Sequence, residues 1–79
     1  MHHDLKIWTP YFDLVYRGEK PFEIRLDDRG YAVGDTLVLN EWDQHSGQAT
    51  GRTTKKVVTY ILRGGQFGLQ DGYVAMAIK

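Results

Sequence analysis

The sequence predicts a mainly β (α+β) domain, a small β-barrel of about five strands with one short helix after the first strand. Three observations carry that reading. Apolar residues recur at period two in short runs separated by Gly-rich turns. One stretch alone, from Thr9 to Arg17, has helical spacing and helix boundaries. Helices do not alternate with the strands as βαβ units would require, so the sheet should be mostly antiparallel. Curling such a sheet into a barrel would remove its exposed edges.

The elements follow in order. Asp4 to Trp8 is a strand, with Leu5 and Ile7 on one face and Lys6 and Trp8 on the other. Thr9 is placed to cap a helix, and Pro10 fits its first turn, where a missing N–H costs nothing. Tyr11, Phe12, Leu14 and Val15 form its apolar stripe, and Gly18 suits a residue of positive φ at the C-terminus. Two turns are too few to be stable alone, so this helix must lie on the sheet. Residues 20–26 make the second strand, in which Phe22, Ile24 and Leu26 define the expected buried face. Asp27 to Gly30 is a polar turn, and Gly34-Asp35 marks another. Thr36 to Trp42 reads as a strand, residues 43–51 as an open hairpin loop, and Arg52 to Leu62 as a long strand. Residues 63–72 hold four glycines in a wide loop, with Phe67 as its expected core anchor. Tyr73 to Ile78 closes the chain as a fifth strand. Across these strands Phe22, Ile24, Leu37, Leu39, Val58, Tyr60, Val74 and Met76 are the expected interior.

Composition narrows the function classes. Seventy-nine residues make one domain, 1–79, and a chain this short buries only about 60% of its unfolded surface. A hydrophobic content of 42% is enough for a packed core and argues against disorder. With no cysteine there is neither a disulfide scaffold nor a thiolate metal site, which fits a reducing cytoplasmic setting. No apolar run is long enough for a membrane span, and no signal peptide is visible. Basic and acidic residues balance at ten each, with net −2 in residues 1–40 and +2 in 41–79. That excludes a protein that grips duplex DNA by bulk charge; nucleic-acid binding would be local or aimed at one nucleotide. The three histidines lack the spacing of a metal motif, no cofactor fingerprint occurs, and Ser46 and Thr54 lack the neighbours of a nucleophilic triad.

The chemistry concentrates in Gly18-x-Lys20-x-x-Glu23-x-Arg25. Glu23 and Arg25 share a strand face about 7 Å apart, and Lys20 enters from the preceding turn. A carboxylate between two cations is either a solvated ion-pair ladder or a site for a polar ligand. In the second case the cations would hold an anionic or carbonyl group, and the carboxylate would accept from a base amino group or a ribose hydroxyl. Gly65 and Gln66 in the glycine loop offer N–H groups for the opposite wall. Trp42 and Trp8 are candidates for stacking a base.

The order of a helix, Gly18-x-Lys20-x-x-Glu23-x-Arg25 on a strand, and Val33-Gly34-Asp35 leading into a strand resembles the ASCH family of the PUA-like superfamily. More narrowly, His3-Asp4-Leu5-Lys6-Ile7, Leu39-x-Glu41-Trp42 and Gly64-Gly65-Gln66-Phe67-Gly68-Leu69 are similar to an ASCH-like subfamily, DUF3850. The resemblance covers nearly the whole chain. It implies a PUA-like barrel with a cleft between helix and sheet that binds RNA or a nucleotide-like ligand through Lys20, Glu23, Arg25, Gly65, Gln66 and Trp42. Some small ASCH proteins are similar to amidohydrolases acting on N4-acetylcytidine. These carry a Lys at the position of Lys20, a Thr at that of Glu23, and a late Glu where this chain has only Asp71. A small amidohydrolase using Lys20 and Glu23 is therefore the alternative, and a protein-interaction module the third reading. Binding stands ahead of catalysis.

Overall fold

A computed structural model describes all residues, 1–79. Its elements are β1 (His2–Trp8), α1 (Thr9–Tyr16), β2 (Phe22–Leu26), β3 (Thr36–Asp43), β4 (Gln48–Arg63) and β5 (Tyr73–Ile78). The five strands form one sheet in the order β1-β3-β4-β5-β2. β1 runs parallel to β3, and the other three pairings are antiparallel. The mainly β class and the single helix after the first strand match the sequence.

Closure does not. The sheet is open, with β1 and β2 at its two edges. In place of a backbone ladder, two guanidinium groups cross from the β2 side to the free edge of β1. Arg25 Nη2 donates to the Lys6 carbonyl at 2.7 Å, and Arg29 Nη1 to the Asp4 carbonyl at 3.0 Å. These bonds satisfy carbonyls that an edge strand would otherwise leave to water or to another chain.

β4 bends the sheet. Its first half pairs with β3 and its second half with β5, and the register slips between Asn40 and Trp42 and again between Val58 and Tyr60. Gly51, at φ 92°, absorbs the first slip. The hairpin before it is tighter than expected, so β4 begins at Gln48 rather than at Arg52. At the second slip the chain changes partners. Val58 N–H donates to the Asp35 carbonyl, while Val57 exchanges both backbone bonds with Lys79.

The core lies between the inner face of this sheet and α1. Leu5, Ile7, Leu37, Leu39, Val58, Val74, Met76 and Ile78 point inward from the strands, joined by Phe12, Val15 and Tyr31. Five of the eight predicted interior residues are therefore buried. Phe22, Ile24 and Tyr60 are corrections: they are 44%, 52% and 63% exposed. Their orientation follows from their partners. Glu23 stands opposite Met76 and Arg25 opposite Val74, both inward, so Phe22 and Ile24 pair with the outward Ala77 and Ala75. Tyr60 would follow Val58 into the core at period two, but the bulge shifts it opposite Ala77 and turns Ile61 inward instead.

The helix is docked rather than self-supporting. Phe12 and Val15 are buried in the core. Thr9 does not cap it; Trp8 holds the extended N-cap position, and the Thr9 hydroxyl donates to the Trp42 carbonyl at 3.3 Å. Gly18 does end the helix at φ 80°, and the N–H groups of Glu19 and Lys20 both return to the Leu14 carbonyl.

The glycine loop also differs from expectation. Phe67 is 87% exposed and no anchor. It sits with Gly68 at the centre of a turn closed by Leu69 N–H on the Gln66 carbonyl, and positive φ at both central residues makes this type I′. Gly64 is required by the loop's own packing, since a Cβ there would lie 1.9 Å from the Gln70 carbonyl oxygen.

These orientations have measurable consequences. Leu39 is fully buried, so Leu39→Ala should lose about 2–5 kcal/mol of unfolding free energy. Tyr60→Ala should cost under about 0.5 kcal/mol, as expected of an exposed side chain. Urea unfolding of the two variants checks the bulge: equal, large losses would place Tyr60 in the core.

Candidate functional site

Three local features assemble the site. The Gly18 turn delivers Lys20, the β2–β5 pairing turns Glu23 inward, and the same pairing places Arg25 beside it. Glu23 is only 4% exposed. Lys20 Nζ donates to Glu23 Oε1 at 2.9 Å, and Arg25 Nε to Glu23 Oε2 at 3.0 Å. Each cation is also fixed to a backbone carbonyl, Lys20 to Phe22 at 3.0 Å and Arg25 to Lys6. Glu23 and Arg25 share a face as the sequence suggested, but it is the inner face. The carboxylate is buried with both oxygens engaged, which offsets the cost of removing it from water.

A cavity of about 510 Å³ opens over this cluster. Lys6, Ile7 and Trp8 of β1 form one wall, Phe22 and Ile24 of β2 the other, and Tyr11 of α1 the end. It occupies the seam between the two sheet edges. Trp8, Tyr11 and Phe22 remain roughly half exposed around it. Lys20 Nζ lies 4.7 Å from the centre of the Phe22 ring. Both cations keep donor capacity toward the cavity: Arg25 Nη1 makes no hydrogen bond within the chain, and Lys20 uses two of its three N–H groups.

The other predicted residues lie elsewhere. Trp42 lines a second cavity of about 400 Å³, together with Asp4, Asn40 and Thr53. Lys6 belongs to both cavities and holds its ammonium 4.0 Å over the Trp42 ring. Gly65 and Gln66 line neither; the Gln66 amide donates to the Arg63 carbonyl, and β1 supplies the wall expected of this loop.

Two further buried carboxylates were not singled out as site residues. Glu41, 3% exposed, accepts from Arg52 Nε at 2.9 Å, Arg52 Nη2 at 3.0 Å and the Thr50 hydroxyl at 2.6 Å. Arg52 also reaches Asp13 on α1 at 2.7 Å and stacks 4.5 Å over Phe12, so this pair ties the helix to the sheet. The Arg52 and Thr50 bonds hold the Glu41 carboxyl below the usual range. Asp35 accepts from His3 Nε2 at 2.8 Å and from the Ala32 amide at 3.0 Å, and these bonds lower its pKa too, that of His3 foremost. A signal for Glu41 was present: it continues the inward period of Leu37 and Leu39.

The chain belongs to the DUF3850 family. That family, described as a domain of unknown function, matches residues 2–78. The chain is also 47% identical over 59 residues to an uncharacterized 12.9 kDa protein in the GpA 3′ region of Escherichia phage P2. The aligned stretch covers 75% of this chain and 52% of the relative, so the chain spans about half the length of the curated relative it matches. No helix of the structure is long and apolar enough to cross a membrane.

The lowered carboxyl pKa values set a pH dependence. A carboxyl whose folded pKa lies below its unfolded one contributes stability that is fully present above the unfolded value. That contribution is lost as the pH falls through the folded value. Stability should therefore decline from about the ordinary Glu value of 4.5 downward, with Glu41, Asp35 and Asp27 all contributing. Glu41→Gln should be less stable than wild type at pH 7, and the gap should narrow by pH 3. Urea midpoints across this range give the answer, and a gap independent of pH would contradict the Arg52–Glu41 linkage.

Proposed function

We propose that this chain is a binding module for RNA or a nucleotide-like small molecule, seated in the Lys20–Glu23–Arg25 cavity. We read its fold as an ASCH-type member of the PUA-like superfamily, on the strength of the helix followed by Gly18-x-Lys20-x-x-Glu23-x-Arg25 on a strand. The observation that carries the functional reading is the pairing of half-exposed aromatic walls with a fixed polar floor. A flat base stacks on Trp8, Tyr11 or Phe22, worth about 1–3 kcal/mol for each stacked base. Its carbonyl, or a phosphate, takes the free N–H groups of Lys20 and Arg25, while Glu23 accepts from an amino or hydroxyl group through a remaining lone pair. A volume of about 510 Å³ suits one nucleotide, not a duplex.

The 2.9 Å contact between Lys20 and Glu23 favours one second reading, a small amidohydrolase acting on a modified nucleoside such as N4-acetylcytidine. No serine, threonine or cysteine lines the cavity. On that reading water itself would attack the amide carbonyl, with Glu23 taking its proton and Lys20 facing the developing oxyanion; as the C–N bond breaks Glu23 would pass that proton to the departing N4 amino group, releasing acetate and cytidine. The one hydroxyl in the lining is the Tyr11 phenol, part of the aromatic wall, and with no serine, threonine or cysteine beside it we put binding ahead of hydrolysis.

Calorimetric titration with nucleosides, nucleotides and short single-stranded RNAs tests the proposal. Lys20→Ala should weaken binding about tenfold, or about 1.4 kcal/mol, with little change in melting temperature, because Arg25 still holds Glu23. Glu23→Ala should lower both stability and affinity, since it leaves two cations facing one another. Each RNA phosphate neutralised adds about 0.7 to the salt slope, so the slope should correspond to only one or two phosphates. No binding at millimolar ligand, or a slope of many phosphates, would overturn the reading. Turnover of N4-acetylcytidine would move it to hydrolysis.

A further inference from the structure

β1 stands between two hollows. The cavity over Glu23 lies beyond its free edge, and the cavity of about 400 Å³ beside Trp42 lies on its β3 side. The second is built from the same parts as the first. Its buried carboxylate is Glu41, where the first has Glu23. Its guanidinium is Arg52, which like Arg25 binds that carboxylate through Nε and leaves Nη1 without a partner in the chain. Its ring is the partly exposed Trp42, the register partner of Trp8 across the β1–β3 ladder. Docking of the helix accounts for the grip of Arg52 on Glu41, but not for the indole and the open hollow beside them.

Two side chains of the second hollow are loosely held. Asn40 Nδ2 faces Asp4 Oδ1 and the Leu5 and Val38 carbonyls, all at 3.4 Å, beyond the range of about 2.7–3.2 Å in which such bonds are strong. Lys6 lines both hollows, and its ammonium rests 4.0 Å over the Trp42 ring, a contact worth little at an exposed site.

We infer that the second hollow takes the neighbouring nucleotide of a single-stranded RNA whose first base sits in the Glu23 cavity, the phosphodiester between them crossing β1 at Lys6. The inference rests on the proposed function and extends it from one nucleotide to two. Two aromatic platforms on either side of one mobile cation match two bases joined by one phosphate. Neighbouring strands lie about 4.8 Å apart, so crossing β1 is a step on the scale of one nucleotide. The Lys6 ammonium moves from the Trp42 ring to the phosphate, and the second base takes its place on the indole. Asn40 turns its amide to the edge of that base, offering both a donor and an acceptor. Arg52 Nη1 donates to a base carbonyl or to the next phosphate. A duplex keeps its bases stacked on one another and can fill neither hollow.

Calorimetric titration of the full chain with the dinucleotides ApA and UpU, against AMP and UMP, tests the inference. A second stacked base should make each dinucleotide bind about tenfold more tightly than its mononucleotide. Trp42→Ala should bring that ratio close to one. Lys6→Gln should lower it and take about 0.7 from the salt slope of dinucleotide binding. The wild-type chain supplies a readout that needs no variant, because its two indole N–H signals belong to Trp8 and Trp42. AMP at its dissociation constant should shift the Trp8 signal, and ApA should shift both. A dinucleotide advantage no greater than the statistical gain of offering two bases to one pocket would overturn the inference. So would an advantage that persists in folded Trp42→Ala, or a Trp42 signal that ApA leaves in place. Those results leave mononucleotide binding, and with it the proposed function, intact. Failure of every mononucleotide and dinucleotide to bind would remove both.

Discussion

The buried carboxylate of Glu23 is the constraint around which the rest of this small fold is arranged. Inward-facing Met76 and Val74 of β5 fix which side of β2 turns to the interior, and they turn in its charged side. Once Glu23 is buried it needs cations, because an unpaired buried charge costs several kcal/mol. Lys20 and Arg25 supply them from either side in the chain. Arg25 continues past Glu23 to the Lys6 carbonyl, so the group that neutralises the charge also spans the gap between the two sheet edges. One ion cluster thus orients β2, bridges the seam and furnishes the floor of the cavity.

The same device recurs at smaller scale. Glu41 is held by Arg52, which reaches on to Asp13 and stacks over Phe12, so α1 is docked by charge as well as by apolar contact. Asp35 joins His3 on β1 to the turn that precedes β3, and the His3 ring packs edge-on against Tyr31 at 4.8 Å. Eleven buried apolar side chains make a thin core for a whole domain. Directional pairs between elements fix register and docking angle, which apolar contact alone specifies weakly. Each pair adds little net energy, but removing one partner leaves the other charge stranded.

Much of this was legible from the residues. Strand and helix order, Gly18 as the helix stop, and the burial of Leu37, Leu39, Val58, Val74 and Met76 follow from periodicity and turn chemistry. The Lys20, Glu23 and Arg25 grouping was also visible, because all three lie within six residues of chain. What was hidden is non-local. The inner face of β2 is chosen by residues some fifty positions away, and period two cannot say which of its two faces is inner. Tyr60 was misplaced because a bulge reverses parity in mid-strand, and bulges leave no mark in an apolar run. Gly65 and Gln66 were assigned to the cleft on glycine content, yet Gly64 serves the close approach of its own loop and Phe67 points to solvent. Trp42 shares Lys6 with the cavity but lines a separate hollow.

The inward orientation of Glu23 is the central claim, and the absence of native cysteine makes it directly measurable. Single variants Phe22→Cys, Glu23→Cys, Ile24→Cys, Arg25→Cys and Leu26→Cys each carry one thiol, whose labelling rate reports exposure. Thiols at 22, 24 and 26 should react readily, at rates approaching that of an unfolded peptide. Those at 23 and 25 should be strongly protected. The reverse alternation would return β2 to the amphipathic orientation its sequence suggests and remove the buried cluster on which the cavity is built.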